Sequence, residues 1–281
     1  MTGKQRKLVN RIIAKVYHLT KSEKIRLALL NVNTKFFIDW NNNIEYDPTN
    51  KLFWLKNGKK YLLPVEKPYF DFNEKIIERR VLEIFCPKYI PKKGDVIINV
   101  GAGIGEELYF FQKKIEKKGR IYNIEASPSS FSKLEILCRK NNYLQCRNFN
   151  CAISNSNGEI WIEEGPDYLK NKINNNAKGI KIPCYSLDQF IADNSITYVD
   201  FLKVNIEGAE FQMIEGMKDS IDIIENIAIS CHDFLLKNNR YEIIEKVKSF
   251  LIAHSFTVFQ KSTGNEILDS WLFAKKTNGT I

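Results

Sequence analysis

A glycine-rich turn between an apolar segment and a helical segment constrains the fold of this chain more than any other feature. Residues 96–106 read VIINVGAGIGE, which predicts a buried strand, a turn with glycine at every second position, and a helix. Glycine is needed where a backbone turns tightly or where a ligand approaches without a Cβ in the way. Alone, such a loop indicates a cofactor only weakly, because glycine-rich turns also serve structural roles.

The chain beyond residue 91 alternates strand-like and helix-like segments. Strands are predicted at 95–100, 120–125, 146–150, 201–206, 227–230, 257–259 and 271–274. Helices are predicted at 106–117, 129–140, 186–192, 209–217 and 241–253. This alternation predicts an α/β fold with a doubly wound, mostly parallel sheet that is buried on both faces. Residues 160–162 and 180–182 are expected to pair as an inserted hairpin around an Asn-rich loop at 171–176.

Residues 1–90 are predicted to form an N-terminal helical and β extension, followed by a catalytic domain at residues 91–281. Turn signals at 47–50 and 57–58 separate three short strands of a β-meander, and a helix is predicted from about Asn73 to Phe85.

The first segment has apolar residues at helical spacing among lysines and arginines. These apolar residues are Leu8, Ile12, Val16 and Leu19. We expect this helix to dock its apolar stripe on the main domain. The alternative is a basic amphipathic helix that rests on an anionic membrane surface, although no Trp or Phe lies within this helix as an anchor.

The formal net charge of +9 is concentrated at the N-terminus. Residues 1–30 contain eight basic residues and one acid, a net charge of +7, which leaves +2 for the rest of the chain. An enzyme that acts on nucleic acid usually lines its cleft with basic charge, so the placement of the charge argues against a nucleic-acid partner.

Cysteine and histidine usage predicts no metal site. The six cysteines include no C-x-x-C pair and the three histidines stand far apart in sequence, so we expect free thiols. The apolar runs are too short to span a membrane, and the first residues lack the apolar region of a secretory signal. We therefore expect a cytoplasmic protein that is soluble or peripheral to a membrane. The sequence does not determine the oligomeric state.

An acidic residue at the end of the second catalytic-domain strand favours a nucleoside cofactor. Glu125 lies 24 residues beyond Gly101, close to the spacing expected of a carboxylate that binds ribose hydroxyls. The G-x-G-x-G spacing differs from that of the dinucleotide fingerprint, and Glu106 and Glu107 would repel a pyrophosphate. The same carboxylates would tolerate an ammonium and a sulfonium, which favours S-adenosylmethionine over NAD.

A second polar cluster follows the strand near residue 201. Residues 200–210 read DFLKVNIEGAE, and ligands of open α/β sheets bind at the carboxyl ends of the strands. We expect catalysis in this cluster. The alternative for Glu210 is that it has no catalytic role and is present only because an acidic side chain at the start of a helix interacts favourably with the helix dipole.

Five ordered blocks of the sequence resemble the FkbM-type methyltransferase family. The blocks are GDVIINVGAGIG from Gly94, IEASP from Ile124, CAIS from Cys151 with a later NG, SLD from Ser186, and LKVNIEGAE from Leu202. They span about residues 91–235. The resemblance implies a class I (Rossmann-like) methyltransferase fold, S-adenosylmethionine as cofactor, and O-methylation, often of sugars or natural products.

The expected cofactor-binding residues lie in the glycine loop and at the ends of the neighbouring strands. They are Asn99, Gly101, Ala102, Gly103, Gly105, Glu106, Glu125, Ala126, Ser127, Cys151, Ala152 and Asn205. The family usually has Asp where this chain has Asn99 and Asn205. Both differences remove a negative charge, so weaker cofactor binding is one expected consequence. They also argue against a divalent cation at Asn205, since hard cations prefer carboxylates.

Four residues are candidates for catalysis. They are Glu207, His232, Lys203 and Asp233. A sugar hydroxyl has a high pKa, so a base near the methyl group would help; Glu207 and His232 are the candidate bases. We expect Asp233 to orient His232, and Lys203 to polarise the substrate or pair with Glu207.

The expected partner is a hydroxyl-bearing glycan or small natural product, recognised through the loop at 171–176 and the N-terminal β element. One alternative is a nucleic-acid methyltransferase, against which the chain lacks the Asn/Asp-Pro-Pro-aromatic motif expected for methylation of base amino groups. The other is a non-catalytic module that binds S-adenosylmethionine or a protein partner.

Overall fold

The computed structural model describes residues 3–65, 72–163, 172–173, 179–206, 208–233 and 242–277. Its helices are α1 (Gly3–Leu19), α2 (Glu23–Phe37), α3 (Glu74–Ile84), α4 (Leu108–Ile115), α5 (Pro128–Asn141), α6 (Leu187–Asp193), α7 (Glu210–Glu215), α8 (Glu242–Ala253) and α9 (Glu266–Asp269). Its first seven strands are β1 (Asn42–Asp47), β2 (Leu52–Asn57), β3 (Lys60–Pro64), β4 (Val96–Val100), β5 (Arg120–Ile124), β6 (Cys146–Phe149) and β7 (Ala152–Ser154). The others are β8 (Gly158–Glu163), β9 (Lys172–Ile173), β10 (Ile180–Ser186), β11 (Val199–Val204), β12 (Ile224–Ser230), β13 (Phe256–Gln260) and β14 (Trp271–Lys276).

Seven strands form the central sheet, in the order β13-β14-β12-β11-β4-β5-β6. All are parallel except β14, which runs antiparallel to both of its neighbours. Ile97 packs in a core cluster with residues of α3, α4 and α5, whereas its neighbour Ile98 packs in a second cluster with residues of α6, α7 and α8. Helices therefore cover both faces, which confirms the predicted doubly wound α/β architecture.

The N-terminal strands form a separate antiparallel sheet in the order β1-β2-β3. This sheet is fixed to α5 at two points. Lys140 Nζ lies 3.0 Å from Asp47 Oδ2. The Asn141 side chain accepts from the Tyr61 amide (2.9 Å) and donates to the Tyr61 carbonyl (2.8 Å), as a paired strand would. Leu30 of α2 shares a core cluster with the catalytic-domain helices, and the domain boundary at residue 90 stays a prediction.

Helix α1 packs through a different face from the one expected. Ile12, Val16 and Leu19 are 55%, 39% and 74% exposed. Ile13 is buried instead, and the ring of Tyr17 lies 6.4 Å from that of Phe53. The predicted docking of the Ile12–Leu19 stripe is therefore wrong, because the adjacent stripe through positions 13 and 17 makes the contact with β2. The side chain of Leu8 lies outside the described residues.

A four-stranded sheet, in the order β7-β10-β8-β9, is inserted before α6. Ile160 pairs with Ile182 and Ile162 with Ile180 in antiparallel register, which confirms the predicted hairpin. Of the Asn-rich loop at 171–176, only β9 belongs to the described residues.

None of the described helices combines the length and the apolar character needed to cross a membrane.

Candidate active site at the carboxyl edge of the sheet

The glycine loop folds back between the ends of β5 and β11. The amides of Gly101 and Ala102 donate to the Ile124 carbonyl, at 2.9 and 3.1 Å. Gly101 has φ +71°, and a Cβ there would lie 2.0 Å from the carbonyl oxygen of Asn205. Any side chain at this position would therefore displace the neighbouring strand end, so the first glycine is required by the close approach of two backbones.

Glu125 holds the middle of the loop. Its Oε2 accepts from the Gly103 amide at 2.7 Å, and its Oε1 accepts from the Ser127 amide at 2.8 Å. Burial raises the pKa of Glu125, against the lowering effect of these two hydrogen bonds. Ser127 also caps α5 by accepting from the Ser130 amide at 3.2 Å. The carboxylate expected to bind ribose thus faces the glycine loop, as a cofactor site requires.

The buried side chain of Lys203 on β11 is bonded to the glycine loop. It is 2% exposed, and its Nζ donates to the Gly101 carbonyl at 2.8 Å and lies 3.1 Å from Glu107 Oε1. A buried ammonium needs such a counter-charge. These contacts give Lys203 a structural role in the loop, and its expected role in polarising the substrate stays a prediction. Glu107, one of the two acids predicted to repel a pyrophosphate, has its charge balanced within the protein.

A row of asparagines extends from Lys203 across the sheet. Lys203, Asn99, Asn123 and Asn148 are register neighbours on successive strands. Asn99 Nδ2 donates to Asn123 Oδ1 at 3.0 Å, and Asn123 Nδ2 donates to Asn148 Oδ1 at 2.8 Å. Asn99 Oδ1 is buried without a hydrogen-bond partner among the described residues. Asn123 and Asn148 were not predicted as site residues, although each occupies the register position of Asn99 on its own strand.

The other expected cofactor residues lie along the same edge. Ala126 follows Glu125, and Asn150 Nδ2 donates to the carbonyls of Glu125 and Ala126, at 2.9 and 3.1 Å. Cys151 and Ala152 follow β6 and are buried. Burial raises the pKa of the Cys151 thiol to about 12. Gly105, at φ +87°, packs against α5, where a Cβ would lie 2.9 Å from Leu137 Cδ2.

Glu106 and Asn205 are half-buried at the two sides of the loop. The amide of Asn205 donates to the Val100 carbonyl at 3.0 Å, which joins the end of β11 to the end of β4.

His232, two residues beyond β12, forms a buried pair with Glu210, the first residue of α7. His232 Nδ1 is hydrogen-bonded to Glu210 Oε1, and the two residues are 4% and 0% exposed. Burial raises the pKa of Glu210, against the lowering effect of His232. Glu210 Oε2 has no hydrogen-bond partner among the described residues. Glu210 is therefore more than an acid at a helix start, the alternative that its sequence position left open.

Asp233 has a different partner from the one expected. Its Oδ1 and Oδ2 accept from the amides of Ile243 and Ile244, at 2.7 and 2.9 Å, so it caps the start of α8. The expectation that Asp233 orients His232 is corrected: the carboxylate bonded to the imidazole belongs to Glu210. Glu207, the other candidate base, lies outside the described residues.

Within the described part of the chain, no group of three or more His, Cys, Asp or Glu residues is arranged to hold a metal ion.

Comparison with solved structures gives matches at low identity. A putative rRNA-methylase from Clostridium thermocellum is 13% identical, covering 75% of this chain and all of its own, with a TM-score of 0.46. Aeropyrum pernix fibrillarin in complex with S-adenosyl-L-methionine is 12% identical, covering 83% and 97%, with a TM-score of 0.45. A SAM-dependent methyltransferase from Aquifex aeolicus is 14% identical, covering 73% and 97%, with a TM-score of 0.40. These likenesses identify no substrate, and the family assignment does not rest on them.

No curated protein matches the chain. The model of the family described as "Methyltransferase FkbM domain" matches residues 99–258, more than half of the chain, and includes the glycine loop, Glu125, Lys203 and His232. The doubly wound, mostly parallel α/β sheet is the fold that the resemblance to this family predicts. The chain therefore belongs to the FkbM methyltransferase family, whose methyl donor is S-adenosylmethionine.

Proposed function

We propose that this protein transfers a methyl group from S-adenosylmethionine to a hydroxyl oxygen of a sugar, a glycan or a small natural product. The observation that carries the proposal is the buried His232–Glu210 pair at the sheet edge that also bears the glycine loop. An alcohol must lose its proton as its oxygen is methylated, and a positioned imidazole is the commonest protein group for that task.

The cofactor would lie against the glycine loop, with Glu125 accepting hydrogen bonds from the ribose hydroxyls. Each carboxylate oxygen can accept two hydrogen bonds, so the amides of Gly103 and Ser127 leave Glu125 with further acceptor capacity. When bound, S-adenosylmethionine supplies the electrophilic methyl group.

In the proposed reaction His232 accepts the hydroxyl proton. Its Nδ1 is hydrogen-bonded to Glu210, and the proposal assigns the proton exchange to the other ring nitrogen, Nε2. A carboxylate on the far side of an imidazole fixes its orientation and stabilises the imidazolium that forms. Glu210 is therefore a positioning residue in this proposal, and Lys203 holds the loop rather than the acceptor.

We further propose that residues 1–90 are an extension to a methyltransferase domain at residues 91–281, and that the β-meander contributes to acceptor choice. The bonds between the meander and α5 support this, because they hold the meander at a fixed position on the domain.

The proposal is tested by incubating the purified protein with S-adenosylmethionine carrying a radiolabelled methyl group and a panel of glycans, phenols, nucleic acids and proteins. We expect label in a hydroxyl compound, stable to mild alkali as a methyl ether is. His232→Asn should abolish the transfer while leaving cofactor binding intact. His254→Asn, which changes a histidine just after α8 that is bonded to the Phe250 carbonyl, is the matched control. Label in nucleic acid would overturn the proposal, and so would cofactor binding without transfer to any acceptor, which would favour the non-catalytic module.

A further inference from the structure

Exposed apolar side chains are concentrated on the first two helices. Of the fourteen large hydrophobic side chains that are exposed in the described residues, seven lie between residues 12 and 40. On α1 they are Ile12, Val16 and Leu19, spaced four and three residues apart, so they share one face of the helix. That face is the one that α1 does not use for packing.

Helix α2 repeats this arrangement. Ile25, Val32 and Phe36 are 50%, 51% and 66% exposed, and their spacing of seven and four residues places them along one stripe. The opposite side of α2 is buried through Leu30, Asn33 and Thr34. Beyond the helix, Trp40 is 69% exposed, and its ring stacks edge-on with that of Phe36 at 5.5 Å. The apolar stripe therefore ends in an exposed aromatic pair.

The charges around these stripes are predominantly positive. Arg11, Lys15, Lys21 and Lys24 are all exposed. Glu23, the only acid in residues 1–30, accepts a hydrogen bond from the Tyr46 hydroxyl. The exposed faces of α1 and α2, named here the α1–α2 surface, thus combine apolar side chains with a net positive charge.

We propose that the α1–α2 surface docks on an anionic lipid bilayer. Amphipathic helices with basic residues beside an apolar face bind in the plane of the membrane interface. Exposed Trp and Phe are suited to that layer, and lysines near an anionic surface add attraction. A second copy of the chain is disfavoured as the occupant, because pairing two such surfaces brings like charges together. A nucleic acid would leave the apolar stripes uncovered.

This inference is independent of the proposed function, since its test measures lipid binding rather than methyl transfer. The full-length protein is sedimented with vesicles of phosphatidylcholine alone and with vesicles that also contain phosphatidylglycerol. We expect binding to the anionic vesicles, weakened by added salt, and little binding to the neutral ones. Of the four tryptophans, Trp54 and Trp271 are buried and Trp161 is half-buried, so the exposed Trp40 should contribute most of a blue shift of tryptophan emission on binding.

Two variants distinguish binding through the α1–α2 surface from nonspecific adsorption of the protein to vesicles. Phe36→Ser/Trp40→Ser should weaken binding to anionic vesicles by about tenfold or more, through loss of buried apolar area. Leu144→Ser/Ile267→Ser changes two apolar residues that are exposed elsewhere, at 80% and 63%, and should bind like the wild type. Unchanged binding of Phe36→Ser/Trp40→Ser, or no binding of the wild type, would overturn the proposal. So would a concentration-dependent dimer that the same double variant abolishes, because the surface would then belong to a second copy.

Discussion

Lys203 Nζ lies 2.8 Å from the carbonyl oxygen of Gly101 and so ties the central strand β11 to the first turn of the glycine loop. The same ammonium pairs with Glu107, and both side chains are almost fully buried. A buried ion pair of this kind fixes geometry more reliably than it adds net stability, but removal of one partner leaves an uncompensated charge. We therefore expect the conformation of the glycine loop to depend on the buried Lys203–Glu107 ion pair.

Removal of the Glu107 charge should weaken cofactor binding. For Glu107→Gln we expect a loss of about 3 kcal/mol in the free energy of unfolding, because Lys203 remains buried without a counter-charge. We also expect S-adenosylmethionine affinity to fall by about tenfold, or about 1.4 kcal/mol. Urea unfolding and calorimetric titration measure the two effects. Glu116→Gln, which breaks an exposed pair with Lys93, is the control and should change neither.

A carboxylate at position 99 should restore part of what Glu107→Gln removes. Asn99 is the register partner of Lys203 on the adjacent strand, so an aspartate there would lie beside the same ammonium. We expect Asn99→Asp/Glu107→Gln to bind the cofactor more tightly than Glu107→Gln alone. Wild-type affinity in Glu107→Gln, or no recovery in the double variant, would show that the loop does not depend on this charge.

Substitution of the His232–Glu210 pair should affect turnover rather than cofactor binding. We expect His232→Asn to lower kcat by about 100-fold or more, with an unchanged Kd for S-adenosylmethionine. Glu210→Gln should lower kcat less. It should also move the acid limb of the pH–rate profile to lower pH, because the imidazolium loses its counter-charge. A profile that does not move would assign Glu210 a purely structural role.

Asp233→Ala should reduce stability through the loss of a helix cap. Asp233 accepts from two amides at the start of α8, and a lost cap costs about 1–2 kcal/mol. Urea unfolding at neutral pH measures this cost. Full stability combined with lost activity would contradict the capping role and restore the expected role beside His232.

The local features of the site could be predicted from sequence, and the long-range pairs could not. The glycine loop, the position of Glu125 and the 160–162/180–182 hairpin follow from short patterns of glycine, acid and β-branched residues. The partner of Lys203 lies 96 residues away along the chain, and that of His232 lies 22 away. Which carboxylate a buried cation reaches depends on strand order and loop path, and the sequence pattern gives neither.

The packing of α1 is a second feature that could not be predicted from the sequence alone. Two apolar stripes, one through Ile12 and one through Ile13, fit the helical period, and the sequence pattern does not say which one contacts the domain. The position of Phe53 on β2, opposite Tyr17, decides it. Asn99, Asn123 and Asn148 likewise form a row only because their strands pair in register.

The pH dependence of the free energy of unfolding should report on the Asp47–Lys140 ion pair, which joins the β-meander to α5. Burial opposes ionisation of Asp47, but hydrogen bonds from Asn50 and Lys140 outweigh it and lower its pKa from 3.8 to about 2. A depressed carboxyl pKa contributes stability that is present above 3.8 and is lost as the pH falls towards 2. Asp47→Asn should therefore be less stable than the wild type at neutral pH, with the difference shrinking in that window. Asp219→Asn, at an exposed aspartate, should show no such difference.

Calorimetric titration with S-adenosylmethionine tests most directly whether the glycine loop and Glu125 form the cofactor site. The wild type should bind one equivalent, and Glu125→Ala should bind at least about tenfold more weakly, because a ribose partner is lost. Glu159→Ala, which removes an exposed acid paired with Lys181, should bind like the wild type, and thermal unfolding checks that all three proteins are folded. Equal affinity of Glu125→Ala and wild type, or no binding by the wild type at millimolar cofactor, would contradict the account.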